Sequence, residues 1–137
     1  MKSSLSILLM IGLLFSCIEA EDKFPQTWQL DGYSSSSWGG DTGFIATPDS
    51  SYSYLFKSDG TFLKTVGSET STGSYVRENR YLETHGKKTF YILSFTENKL
   101  VHSCSGQTEE LMITDEGGLV GGISACDGPT NYFSLIK

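Results

Sequence analysis

Tyr52-Ser53-Tyr54-Leu55-Phe56-Lys57-Ser58-Asp59-Gly60-Thr61-Phe62-Leu63-Lys64-Thr65-Val66 is the stretch whose reading decides the fold. Tyr52, Tyr54 and Phe56 recur at every second position, which gives a strand with one apolar face. Ser58-Asp59-Gly60 then supplies turn chemistry, with Gly60 free to take the left-handed conformation that a three-residue hairpin loop requires. Thr61 to Val66 returns antiparallel. The rest of the chain repeats this grammar of short β-branched and aromatic runs punctuated by turn residues.

Before the hairpin, Trp28 to Tyr33 alternates, and Ser34 to Asp49 reads as a long polar connection carrying Ser34-Ser35-Ser36-Ser37, Trp38 and Gly39-Gly40. After it, Gly67 to Gly73 is a Ser/Thr-rich turn leading to strands at Ser74–Arg77 and Tyr81–Thr84. Thr89 to Phe95 is apolar on both faces, which predicts a strand covered more thoroughly than its neighbours. Leu100–Cys104, Glu109–Thr114, Leu119–Ser124 and Thr130–Ile136 complete the strand pattern, with breakers at Asp115-Glu116-Gly117-Gly118 and Asp127-Gly128-Pro129. No run of helix formers clusters. Simple connections favour an all-β, up-and-down antiparallel β-barrel of about eight strands, because closure removes exposed edges.

Charge excludes one class of partner. The formal net charge is −6, and the only adjacent basic pair is Lys87-Lys88. Phosphate recognition needs clustered cations, so nucleic acid is not expected. A basic patch is equally not expected to hold the chain on a membrane.

The N-terminus carries an address. Lys2 is followed by an apolar run from Leu5 to Phe15, too short to span a bilayer as a mature helix. Leu14-Phe15-Ser16-Cys17 resembles the bacterial lipobox, in which the cysteine thiol is acylated and the leader is cut just before it. The division expected is a leader over 1–16, a lipidated tether over 17–23 and a barrel domain over 24–137. An ordinary signal peptide cleaved near Ala20 is the competing reading. With Cys17 acylated, Cys104 and Cys126 are left as an even pair in an oxidising compartment, where a disulfide is the default and two free buried thiols the alternative. Strand parity brings both to one rim of the barrel, but two strand spacings of about 9–10 Å separate strand-embedded cysteines. Bridging them requires residues beyond the strand ends to curl inward.

Several motifs together resemble the small lipocalin-like lipoproteins of Bacteroidetes-type bacteria. They are Thr27-Trp28-Gln29-Leu30, Phe56-Lys57-Ser58-Asp59-Gly60-Thr61-Phe62, Gly73-Ser74-Tyr75, and Ala125-Cys126-Asp127-Gly128-Pro129 with the earlier Cys104. The resemblance implies a lipid-anchored up-and-down barrel. Function does not transfer with that fold.

Candidate chemistry is sparse. Trp28, Tyr54, Phe56 and Phe62 are positioned either to line a pocket for a small hydrophobic molecule or to fill an ordinary core. Trp38, in its serine and glycine loop, is either a ligand contact or a cover for the barrel mouth. Glu83 and His85 share a strand face, as do His102 and Cys104, yet neither pair has the further group that catalysis or metal binding needs. Gly117 to Gly122 lacks the Lys-Ser/Thr of a phosphate loop. No catalytic residue, metal or cofactor is expected. The expectation is a non-enzymatic lipoprotein of the bacterial cell envelope. It is attached through Cys17 to the outer membrane, since Ile18 rather than aspartate follows. It binds a small hydrophobic molecule or an envelope component, or else acts as a protein-interaction or inhibitor module with a filled barrel.

Overall fold

The hairpin forms as its sequence dictates. In the computed structural model, which describes residues 23–37, 40–41, 43–104, 106–122 and 128–137, Phe56 pairs with Phe62 and Ser53 with Thr65. Lys57 N–H donates to Thr61 O at 2.9 Å, leaving Ser58, Asp59 and Gly60 as the loop. Gly60 has φ +80°. Asp59 Oδ1 accepts from both Thr61 N–H (2.9 Å) and Thr61 Oγ1–H (2.6 Å), so the loop's own side chain satisfies the returning strand's first donor.

Eleven strands are described: β1 Gln26–Ser34, β2 Ser36–Ser37, β3 Gly40–Asp41, β4 Ile45–Ala46, β5 Ser53–Phe56, β6 Thr61–Val66, β7 Glu69–Leu82, β8 Gly86–Phe95, β9 Thr108–Ile113, β10 Leu119–Gly122 and β11 Thr130–Leu135. β5 to β11 follow one another as a meander, and β11 closes onto β1 while β5 pairs with β1 on its other side. The result is a closed, antiparallel eight-stranded barrel, with β4 added alongside β1. This is the up-and-down barrel expected from the strand spacing, and among the described residues there is no helix.

Three local expectations are corrected. Ser74–Arg77 and Tyr81-Leu82 are not separate strands but parts of β7, which runs without a break from Glu69 to Leu82, while Glu83-Thr84 fall in the turn that follows it. The turn before it shrinks to Gly67-Ser68, with Gly67 at φ +62°, because the threonines beyond it are good strand formers that pair with β6. Leu100–Cys104 is not a strand; residues 96–107 form the β8–β9 connection, and Leu100 has φ +59°. Its backbone polar groups serve interior side chains instead of a ladder, as described below. The polar connection after β1 holds the short β2–β3 ladder and β4.

Inward positions carry the core: Trp28, Leu30, Tyr52, Tyr54, Phe56, Phe62, Tyr91, Leu93, Phe95, Leu111, Leu119 and Phe133. Their rings interlock. Phe56 stacks on Tyr91 at 4.5 Å between centroids, and Phe62 meets Phe95 edge-on at 4.9 Å. On β8, the outward Phe90 and Ile92 are half-buried; Phe90 is covered by the Arg80 guanidinium at 4.9 Å. Gly73 makes room for Phe62, since a Cβ there would lie 2.8 Å from its ring and 2.0 Å from Ser94 O.

Candidate functional site

Strand parity places charge inside the barrel. Phe62 faces the core, so Lys64 does too, and Glu109 shares the inner face of β9 with Leu111. Both are sealed, with Lys64 0 % and Glu109 4 % exposed. Lys64 Nζ donates to Glu109 Oε1 at 2.6 Å and to Leu100 O at 2.6 Å. The ammonium also lies over the rings of Tyr52, Tyr54 and Phe95, 5.2–5.5 Å from their centroids. Glu109 Oε1 additionally accepts the backbone N–H of His102. The connection 96–107 is thereby fastened at two backbone points to a buried ion pair.

A chain of hydroxyls leads from this pair towards the rim. Tyr54 O–H donates to Glu109 Oε2 at 2.7 Å. Tyr54 and Tyr52 oxygens are 3.0 Å apart, and Tyr52 O lies 2.9 Å from His102 Nδ1. Proton arithmetic orders these bonds. A carboxylate only accepts, so Tyr54 spends its hydrogen on Glu109 and must accept from Tyr52. Tyr52 has then spent its own hydrogen and must accept from His102. Every link is satisfied only when His102 carries its proton on Nδ1, giving the order His102, Tyr52, Tyr54, Glu109.

Electrostatics follow from burial. Desolvation pushes the Tyr54 and Tyr52 phenols well above their usual range, and the Glu109 charge adds to this. It also holds the Lys64 ammonium below its usual value, against the pull of Glu109. The His102 imidazole is lowered, first by burial and then by Lys64. The arrangement is an internal clasp with an ordered proton chain, ending at a half-buried imidazole on the barrel rim.

The residues singled out in the sequence lie in different places. Trp28, Tyr54, Phe56 and Phe62 are all in the packed interior. Trp28 Nε1–H and Tyr91 O–H both donate to Gln26 Oε1, at 3.3 and 2.9 Å. Trp38, Cys17 and Cys126 lie outside the described residues. Cys104 is in the 96–107 connection, at the barrel end that also carries the β10–β11 connection in which Cys126 falls. Glu83 and His85 sit in the exposed turn between β7 and β8, where His85 Nδ1 is 2.6 Å from Thr84 Oγ1. Among the described residues, no three His, Cys, Asp or Glu side chains are grouped to hold a metal ion. No described helix is long and apolar enough to cross a membrane.

Sequence reasoning missed Lys64 and Glu109. A signal was present: each interrupts an otherwise apolar inward face, two residues from Phe62 and from Leu111 respectively. A charge at such a position demands a partner, and only the closed sheet reveals which one. Compared with protein-family models, curated proteins and solved structures, the chain gives no match.

Proposed function

We propose that this protein is a non-enzymatic, lipid-anchored module of the bacterial envelope that acts through the outside of its barrel and its rim loops. The filled interior is the observation that carries this reading. Tyr54, Phe56, Phe62, Tyr91, Leu93 and Leu111 are at most 2 % exposed and pack on one another. Beyond them, the Lys64–Glu109 pair occupies the space beneath the 96–107 connection. A hydrophobic guest in that interior would have to displace interlocked rings or strand a buried charge. A protein-interaction or inhibitor role is therefore favoured over carriage of a small apolar ligand.

Attachment in this reading is through acyl chains on Cys17, after removal of the leader, in the manner of the lipocalin-like lipoproteins that the sequence resembles. Location at the outer membrane follows from Ile18. A Cys104–Cys126 disulfide belongs to the same proposal, because the two connections that carry these residues lie at one end of the barrel. Titration with a fluorescent fatty acid tests the filled interior: no displaceable binding is expected, and saturable one-site binding overturns it. Labelled palmitate tests the anchor. Incorporation into the native chain and its loss in Cys17→Ser is the expected result, and an unlabelled native chain refutes it.

A further inference from the structure

The chain leaves the sheet after β8 and rejoins it beside its point of departure. β8 and β9 pair as far as Ser94–Thr108, and Phe95 N–H then donates to Gln107 O at 2.9 Å. Thr96 N–H donates to Thr72 O at 2.9 Å. Beyond that root, the described residues from Glu97 to Cys104 belong to no strand. A loop whose ends are already joined can swing without breaking a rung of the barrel.

Residues 100–102 are tied to the interior at the clasp. Leu100 O accepts from Lys64 Nζ, His102 N–H donates to Glu109 Oε1, and the His102 ring meets Tyr52 O through Nδ1. Val101 packs against the core between them. Glu109 has committed both oxygens, Oε1 to Lys64 and His102 N–H, and Oε2 to Tyr54.

His102 is the half-buried member of this set. Among the described residues, the groups that face it are Tyr52, ahead of β5, Tyr54 behind Tyr52, Lys64 of β6 and Glu109 of β9. Phe133 of β11 packs on Tyr52 and brings no charge. On its own segment Glu97, Lys99 and Cys104 are exposed, and Lys99 is paired with Glu69. A second proton enters the imidazole at Nε2, because Nδ1 already carries the hydrogen given to Tyr52. The imidazolium is then half out of water and repelled by the Lys64 ammonium. Glu109 attracts it, but that carboxylate is already matched by Lys64. Water solvates the new charge better. Moving the ring out to water draws the adjoining N–H off Glu109 and Leu100 O off Lys64.

We infer that residues 96–104 form an acid-operated lid: protonation of His102 undoes the clasp and lifts the segment off the barrel end while the sheet stays closed. The lid stands on the barrel alone and does not depend on the proposed anchor. It makes one rim loop a surface with two states, one of which uncovers the Lys64–Glu109 pair. The direction follows from linkage. Burial and Lys64 hold the closed-state His102 pKa below the ordinary 6.5, so the open form binds more protons between those values. The lid is therefore shut above that window and released as pH falls through it, with the opening constant rising by at most about tenfold per pH unit.

The test is amide hydrogen exchange by NMR on the full, host-processed protein between about pH 8 and pH 5, with each rate corrected for the intrinsic effect of pH. The imidazole nitrogens of His102 are titrated in the same samples. The expected result is protection of the residue 102 amide that falls up to about tenfold per pH unit in step with that titration, while Tyr91 and Leu93 in β8 stay protected. In His102→Asn, protection at residue 102 should lose this pH dependence. Protection that stays level through the His102 titration overturns the lid. So does a loss shared equally by Tyr91 and Leu93, which reports unfolding of the whole barrel. An unchanged pH dependence in His102→Asn assigns the switch to another group and overturns it as well. Should that variant not fold, the wild-type comparison of residue 102 with β8 decides the matter.

Discussion

Lys64 and Glu109 stand 2.6 Å apart inside a barrel that gives neither side chain access to water. Each is tolerable only because the other is present. Taking a lone charge into a protein interior costs several kcal/mol, which a partner and further hydrogen bonds must offset.

Removing one member should therefore hurt more than removing both. Lys64→Met or Glu109→Leu alone is expected to lower unfolding free energy by about 3–5 kcal/mol. The double variant Lys64→Met/Glu109→Leu should recover most of that loss. Urea unfolding of all four proteins closes the cycle, and additive losses would deny the coupling.

Tyr54→Phe leaves the ring packing in place and deletes one link of the proton chain. Glu109 Oε2 then loses its donor, and Tyr52 O–H loses its acceptor. Loss of a buried hydrogen bond to a carboxylate predicts about 1.5–3 kcal/mol of destabilisation, readable as a lower denaturation midpoint with an unchanged slope.

Acid should loosen the rim. Burial holds the folded His102 pKa below the ordinary 6.5, and Lys64 pushes the same way. Between the folded and unfolded values the unfolded chain binds more protons, so stability rises with pH through that window and is lost below it. His102→Asn removes this contribution. Melting curves between about pH 7 and pH 5 should fall more steeply for the wild-type chain than for the variant. Parallel curves would sink the assignment.

Gly73→Ala tests the closeness of β7 to β8. Its Cβ would fall 2.0 Å from Ser94 O, a backbone atom in the middle of a sheet that cannot yield cheaply. A loss of at least about 2 kcal/mol is expected, whereas Gly86→Ala meets nothing within 4 Å and carries only the cost of φ +68°.

Much of this fold is legible without coordinates, for a local reason. The alternation of Tyr52, Tyr54 and Phe56 and the Asp59-Gly60 turn determine the β5–β6 hairpin by themselves, as period and turn type act between near neighbours. The failures share one cause. Residues 100–104 have strand-like composition, but Lys64 and Glu109 claim the backbone of Leu100 and His102 from across the barrel. Likewise, Tyr81-Leu82 carries no local mark that β7 would already be running when it arrived.

By itself, then, the sequence determined the strand class, the alternating inner face and the hairpin turns, all properties of contacts a few residues long. Only the closed sheet decided which inward charge meets which, and that the 96–107 segment is clasped over the interior. Those outcomes depend on pairing partners 36 to 45 residues apart at the clasp, where no local rule of spacing reaches.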